Sequence, residues 1–134
     1  MIRKFETSDF AKLILQKEQE GEADVDLSKH SAFSFFVHEK LVAVCWYIKI
    51  YEGRYEVFAY ISADIGRNML LFVRELKHFI EQKAIEFQAV RIELTVREGF
   101  VPGDRLAVLL GFEYEGTMKK IYKGLNYKLY ARLF

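Results

Sequence analysis

Residues 54–96 decide the fold. They begin with the strand-like run RYEVFAYI (54–61) and end with a second such run, AVRIELTV (89–96). Between the two runs, from Arg67 to about Lys83, apolar residues recur at helical spacing, at Met69, Phe72, Val73, Leu76, Phe79 and Ile80. Two strands joined by a crossover helix are parallel neighbours. We therefore expect Arg54–Ile61 and Ala89–Val96 to form one parallel pair.

The other strands are expected to be antiparallel, because tight turns join them. Turn signals stand at Glu39-Lys40, Glu52-Gly53 and Lys123-Gly124. The other predicted strands are Ile2–Phe5, Phe33–His38, Leu41–Tyr51, Phe112–Tyr122 and Asn126–Phe134. Thr7 or Ser8 is expected to cap a helix whose apolar face consists of Phe10, Leu13 and Ile14. A short helix is expected from Pro102 to Leu110, and Gly111 ends it. This order predicts a single α+β domain over residues 1–134, with a mixed sheet of about seven strands and about three to four helices on its faces.

Composition bounds the function. The 134 residues are 51% hydrophobic and 16% aromatic, which supplies one substantial core, and a net charge of +1 argues against a nucleic-acid grip through bulk charge. One cysteine, Cys45, excludes an internal disulfide, and it lies in an apolar strand where an inert core thiol is expected. The three histidines lack metal-ligand spacing, so we expect no metal. Without a signal peptide or an apolar run of ~20 residues, we expect a cytoplasmic protein away from membranes.

The most specific motif is Leu109-Leu110-Gly111-Phe112-Glu113-Tyr114-Glu115-Gly116. It is similar to the LGF…EG signature of the GCN5-related N-acetyltransferase (GNAT) superfamily, where a short helix ends and the sixth strand begins. The element order resembles that superfamily over nearly the whole chain, as does the ending YKLYAR (127–132). The ending also resembles small GNAT-like proteins of tailed bacteriophages. The resemblance implies transfer of an acetyl group from acetyl-CoA to an amine of a small molecule or protein, and a homodimer stays open.

The resemblance also implies where acetyl-CoA binds. In the superfamily its pyrophosphate meets backbone N–H groups between the fourth strand and the following helix. The corresponding residues are Ile61, Ser62, Ala63, Ile65, Gly66, Arg67 and Asn68. Gly66 matches the last glycine of the family loop, but the loop is short, its preceding basic residue is missing, and Asp64 stands where a glycine is usual. The Asp64 carboxylate would repel a diphosphate, and the positive charge of Arg67 would offset that repulsion in part. Two interpretations stay open. The loop is either an altered acetyl-CoA site, or the start of a helix that Asp64 caps and that binds no phosphate.

Glu56 matches the family position of the general base, early on the fourth strand. A carboxyl flanked by aromatic residues is desolvated, which raises its pKa and suits it to take a proton from an ammonium. The alternative is a solvent-facing strand residue, and Glu93 is a distant second carboxylate. The family's usual tyrosine acid is replaced by Ala107, for which Tyr114 or Tyr122 are the substitutes.

Two other functions stay open. A GNAT-shaped binding or structural protein that has lost acetyl-CoA is favoured by the altered loop. A nucleic-acid surface is suggested by the final hairpin, where tyrosines interleave with Lys119, Lys120, Lys123, Lys128 and Arg132, although a solvated strand face explains the same pattern. Similarly, the acidic segment from Gln16 to Lys29 is either a solvated loop or a lip that attracts a cationic substrate.

Overall fold

The computed structural model describes residues 1–20 and 31–134. The strands within these residues are β1 (Ile2–Lys4), β2 (Ser31–Val37), β3 (Lys40–Tyr51), β4 (Arg54–Ile61), β5 (Arg91–Arg97), β6 (Glu113–Tyr122) and β7 (Leu125–Leu133). The α-helices are α1 (Lys17–Glu20), α2 (Met69–Phe87) and α3 (Val101–Leu109), and two 3₁₀ helices span Thr7–Lys12 and Gly66–Asn68.

The strands form a mixed sheet in the order β1-β2-β3-β4-β5-β7-β6. β4 and β5 are the predicted parallel pair, and α2 connects them in sequence. The pairs β1–β2, β2–β3, β5–β7 and β6–β7 are antiparallel. The α+β architecture with one parallel pair is therefore confirmed.

The chain divides into two compact units, and the first consists of Met1–Ile48 and Val57–Glu75. One face of its sheet carries Trp46, whose ring stacks on Phe58 with 5.1 Å between centroids and packs at 4.9 Å against Tyr60. On the opposite face, the ring of Phe35 meets Phe72 of α2 edge-on at 5.5 Å. Alternation of side chains along β2 and β3 thus supplies two apolar layers.

The segment after β1 differs from the prediction because a buried carboxylate organises it. Asp9 is fully buried and accepts hydrogen bonds from both terminal nitrogens of Arg3 (2.8 and 2.7 Å), from the Ser34 hydroxyl (2.8 Å) and from the Glu6 amide (2.9 Å). Burial favours the neutral acid, but these donors outweigh it and lower the pKa of Asp9 to about 2. The turn is therefore a 3₁₀ helix that begins after Glu6, not an α-helix capped by Thr7 or Ser8, and Ile14 is left exposed.

The turn between β2 and β3 also lies one residue before its predicted place. His38 and Glu39 form it, with φ angles of +48° and +66°, and β3 already begins at Lys40. Two consecutive positive φ angles match the right-handed twist of the strands they join. Lys40 is consequently a strand residue.

The second unit consists of Lys49–Glu56 and Leu76–Phe134. The ring of Tyr55 on β4 stacks on Phe87 of α2 with 4.8 Å between centroids. α3 is attached to β7 through Asp104, which accepts hydrogen bonds from the Tyr130 hydroxyl (2.9 Å) and the Lys128 ammonium (3.2 Å). As predicted, Pro102 lies in the first turn of α3, and Gly111 follows the helix at φ +87°, a conformation that favours glycine.

Candidate active site

The parallel strands of the second unit carry the same three-residue pattern in register. β4 begins Arg54-Tyr55-Glu56, and β5 begins Arg91-Ile92-Glu93. The three pairs between the strands match position for position, so that the two arginines are partners and the two glutamates are partners. Partner residues on adjacent strands point to the same face of a sheet. Two carboxyl groups and two guanidinium groups thus share one face.

Both arginines bind Glu93. Arg54 donates to it from Nη2 (2.8 Å) and Nε (3.2 Å), and Arg91 donates from Nε (2.6 Å). The Glu93 side chain is 5% exposed. Burial favours the protonated acid, but the two guanidinium groups outweigh it and lower the pKa of Glu93. Glu93 is therefore a buried, ionised carboxylate with charged partners on both sides.

Glu56 stands in the opposite situation. It is half-buried and makes no ion pair with any residue in the described ranges. Its neighbour Tyr55 faces α2, so by strand alternation Glu56 points to the other face of β4. Burial, followed by the nearby charge of Glu93, raises the pKa of Glu56 to about 7, while Arg54 and a hydrogen bond from Thr95 act in the opposite direction.

A carboxyl group that titrates near neutrality is suited to proton transfer. At pH 7 such a group is present in substantial amounts both as acid and as base, which is the condition for efficient general base catalysis at that pH. The geometry therefore agrees with the chemical argument made for Glu56 from the sequence, and the role itself stays a prediction. Glu93, in contrast, is occupied by two arginines and is poorly placed to accept a proton.

The charged group continues toward the edge of the sheet. Arg91 donates to both carboxylate oxygens of Glu115 on β6, at 3.0 and 2.6 Å. Arg91 thereby joins Glu93 to Glu115, and its three hydrogen bonds, one from each guanidinium nitrogen, fix the guanidinium plane. We call Arg54, Arg91, Glu93 and Glu115 the Glu93 cluster.

In the first unit, Asp64 does not cap the helix. Its carboxylate accepts a hydrogen bond from the Ser62 hydroxyl and pairs with the Lys40 ammonium at 2.9 Å, and Lys40 also donates to the Asp64 carbonyl at 2.9 Å. The Ser62 hydroxyl and then Lys40 lower the pKa of Asp64. The prediction that Asp64 caps the helix is therefore wrong, whereas phosphate binding stays a prediction. The Lys40 ammonium offsets the negative charge of Asp64 that would repel a diphosphate.

In the predicted phosphate loop, some backbone N–H groups donate hydrogen bonds within the protein and others do not. Ser62 and Ala63 donate their N–H groups to Val42 (2.8 Å) and Ile14 (2.7 Å), and Ile65 and Asn68 donate within the loop, to Ser62 and Ile65. The Ile61 carbonyl accepts a hydrogen bond from Gln16 at 3.4 Å. Among the described residues, the amides of Gly66 and Arg67 have no such acceptor.

The open part of this loop fits an anion. Gly66 has φ +54° and nothing within 4 Å of the place where a Cβ would stand. The exposed Arg67 side chain makes no ion pair with the residues that are described, and Asp64 is already neutralised by Lys40. Two free N–H groups next to an uncompensated guanidinium suit a phosphate. Of the seven residues predicted to bind the cofactor, Gly66 and Arg67 are thus the best placed.

The tyrosine that the sequence resemblance implied as proton donor has no counterpart at position 107. Ala107 is fully buried in α3. Of the suggested substitutes, Tyr114 is 55% exposed and bonds the Thr117 hydroxyl at 2.6 Å, and Tyr122 is 40% exposed. The donor role of either tyrosine stays a prediction.

The basic final hairpin is not a continuous cationic surface. Lys128 pairs with Asp104 at 3.2 Å and Arg132 with Glu81 at 2.8 Å. Tyr127 and Tyr130 are buried, which leaves their ring faces unavailable for stacking on bases. The arrangement favours the solvated strand face that the sequence offered as the alternative.

Some predicted features lie beyond these two sites. Most of the acidic segment 16–29, and His30, lie outside the described residues. No group of three His, Cys, Asp or Glu within the described part of the chain is arranged to hold a metal ion. No helix in that same part is both long and apolar enough to cross a membrane.

Sequence reasoning missed Lys40 and the two arginines. Lys40 lies 24 residues from Asp64 in the sequence, and no local sequence pattern predicts their contact. The arginines were detectable, because Arg-x-Glu occurs at the start of both strands that were predicted to pair in parallel. Setting those strands in register is enough to bring the four charges together.

Comparison with known proteins gives a fold and no sequence relative. No family model matches the chain, and no curated protein matches it. Solved structures do match. A GNAT-family acetyltransferase from Bacillus anthracis is 20% identical, with a TM-score of 0.75 over 98% of this chain and 93% of its own.

Two further structures with more specific activities show the same likeness. A ribosomal-protein-alanine N-acetyltransferase from Brucella melitensis is 18% identical, with a TM-score of 0.74 over 100% of this chain and 99% of its own. A spermidine N-acetyltransferase from Vibrio cholerae is 14% identical, with a TM-score of 0.73 over 99% of this chain and 94% of its own. The fold of this chain is therefore the GNAT fold, as the motif and element order predicted.

Proposed function

We propose that the protein is an N-acetyltransferase that transfers an acetyl group from acetyl-CoA to an amine, with Glu56 as the general base. The observation that carries the proposal is the contrast between two partner glutamates, of which Glu93 is bound by two arginines and Glu56 is left with a pKa of about 7. Glu56 makes no ion pair among the described residues, and it is the residue that the resemblance to the superfamily suggests as the base.

Glu56 would act on the amine. An amine is protonated at neutral pH, and an ammonium has no lone pair with which to attack. The Glu56 carboxylate takes one proton from the ammonium, which frees the lone pair for attack on a carbonyl carbon. Acetyl-CoA supplies that carbonyl as a thioester, so the new C–N bond forms as the C–S bond breaks.

The phosphates of acetyl-CoA would be held by the loop between β4 and α2. The Gly66 and Arg67 amides and the Arg67 guanidinium are the groups available for this, and Lys40 adds positive charge while it compensates Asp64. Backbone N–H groups at the start of a long helix favour an anion for the further reason that the helix dipole is positive there.

One observation favours a competing function. Ala107 leaves the departing thiolate without the usual tyrosine donor, so a GNAT-shaped protein that binds an amine or another partner without transferring an acetyl group is the second candidate. In the acetyltransferase proposal, water or one of the exposed tyrosines 114 and 122 must supply that proton.

A direct assay separates the two candidates. Acetyl-CoA is titrated calorimetrically into the protein, and acetyl transfer is then measured with spermidine and with an alanine-terminated peptide, the acceptor classes of the structural neighbours. The proposal expects saturable acetyl-CoA binding and release of a free thiol that depends on an amine. Absence of binding at millimolar acetyl-CoA contradicts it and favours the non-catalytic candidate.

A further inference from the structure

Among the described residues, the charged and polar groups shown to act on Glu56 are Arg54, Glu93 and Thr95, from its own strand and from β5. On β4, Arg54 lies two residues before it. On β5, Glu93 is its direct partner and Thr95 gives it a hydrogen bond. Arg91 does not contact Glu56 in the described ranges; it donates to the carboxylates of Glu93 and Glu115. Glu93 is thus the one group of the Glu93 cluster that brings a negative charge opposite Glu56.

The position of that negative charge is fixed. Adjacent strands are ~4.8 Å apart, so partner side chains on one face are close neighbours. Glu93 cannot turn away, because it is 5% exposed and receives three hydrogen bonds of 2.6–3.2 Å from two guanidinium groups. Two such donors also keep it ionised at neutral pH.

We propose that Glu93 is a positioning residue for Glu56: its fixed negative charge adds to the effect of burial and disfavours the Glu56 carboxylate until a cation binds beside it. The inference rests on the proposed function, in which that cation is the acceptor ammonium. As the ammonium binds, its positive charge cancels the repulsion, and Glu56 loses its proton to water. The carboxylate then takes a proton from the ammonium. The base is thereby formed only where the acceptor is bound.

The arrangement makes two substitutions act in opposite directions. Glu93→Gln removes the repelling charge and releases Arg54 from its ion pair, while Arg91 keeps Glu115, so Glu56 loses its proton more readily. Arg54→Gln removes a positive charge next to Glu56 while Arg91 still holds Glu93, so Glu56 keeps its proton more strongly. Glu113→Gln is the matched control, because Glu113 is exposed on β6 and outside the Glu93 cluster.

The test measures Glu56 directly. The protein is labelled with ¹³C in its glutamate carboxyl groups, the Glu56 signal is assigned by its loss in Glu56→Gln, and its titration midpoint is followed by NMR in each variant. The proposal expects about a tenfold change in proton affinity, downward in Glu93→Gln and upward in Arg54→Gln, with no change in Glu113→Gln. The acid limb of the acetyl-transfer rate is expected to move with the midpoint.

An unchanged midpoint in Glu93→Gln, or movement of both midpoints in one direction, overturns the proposal. If Glu93→Gln does not fold, Arg54→Gln decides alone, since its side chain is 47% exposed and its midpoint must rise. The NMR readout needs no substrate. Opposite midpoint shifts in a protein that acetylates no amine would therefore support the role of Glu93 and contradict the proposed function separately.

Discussion

Glu56 and Glu93 hold the same place in an Arg-x-Glu pattern on adjacent parallel strands, yet both arginines bind Glu93. In a symmetric arrangement each glutamate would pair with one arginine, and the pKa of both carboxyl groups would be lowered. The observed arrangement separates their properties. Glu93 is buried, ionised and paired with two arginines, whereas Glu56 has a pKa of about 7; the surroundings of each carboxyl, and not the residue type, cause the difference.

The first prediction concerns turnover. Glu56→Gln keeps the shape of the side chain but cannot accept a proton, so acetyl transfer to an amine should fall by about 10²–10⁴-fold while affinity for acetyl-CoA is retained. Steady-state rates across pH 5–9 and calorimetric titration measure the two effects. Glu113→Gln should behave as the parent protein does, and near-normal turnover in Glu56→Gln would assign the base to another group.

The second prediction concerns stability and pH. The folded-state pKa of Glu56 is about 7 against an ordinary value of 4.5, so the folded state holds this proton more tightly than the unfolded chain. Its contribution is fully present below pH 4.5 and is lost as pH rises through 7. Glu56→Gln removes the loss and should raise the free energy of unfolding at pH 8, relative to pH 5, by about 1–3 kcal/mol. Urea unfolding of the variant and parent at both values measures it; an equal difference at the two pH values would contradict the high pKa.

The third prediction concerns the loop that precedes α2. Asp64→Asn removes a carboxylate and with it the ion pair of Lys40, so acetyl-CoA should bind about two- to fivefold more tightly. Lys40→Gln leaves Asp64 uncompensated and should weaken binding by a similar factor. Both effects should shrink in high salt, because the pair is partly exposed. Calorimetric dissociation constants give the answer, with Lys4→Gln on β1 as the control. Identical constants in all variants would place the phosphates elsewhere.

The fourth prediction concerns Asp9. The pKa of this fully buried carboxyl is about 2 against 3.8, so its contribution is present above pH 3.8 and is lost as pH falls through 2. Asp9→Asn leaves Arg3 without its buried charged partner and should lower the free energy of unfolding at pH 7 by about 2–4 kcal/mol. Its deficit against the parent should diminish toward pH 2. Chemical denaturation over this range measures both, and a deficit that is independent of pH would mean that packing, not charge, is responsible.

The fold was predictable where local signals were strong. β4 spans Arg54–Ile61 as predicted, because the turn at Glu52-Gly53 and the aromatic run after it are both local features. The turn at His38-Glu39 was predicted one residue too late, because neither residue is one of the usual turn residues that signal a positive φ angle. The helix after β1 was misjudged because Asp9 is held by Ser34, 25 residues away in sequence.

The candidate site was predictable in its positions and less so in its electrostatics. Strand position and residue type together pointed to Glu56. The sequence could not indicate that both arginines bind Glu93, because two symmetric ion pairs fit the same pattern, and only packing and burial select between them. The pairing of Asp64 with Lys40 could not be predicted because it joins two segments that are distant in sequence.

Cys45 is the chain's only cysteine and lies fully buried in β3, where burial also raises the pKa of its thiol. A thiol reagent can modify it only in molecules that have opened this strand, so the labelling rate reports how often the sheet opens. A compound that binds only the closed form slows labelling by the factor 1 + [L]/Kd when opening is fast. The buried thiol therefore provides an affinity measurement for thiol-free ligands that requires neither turnover nor an added chromophore.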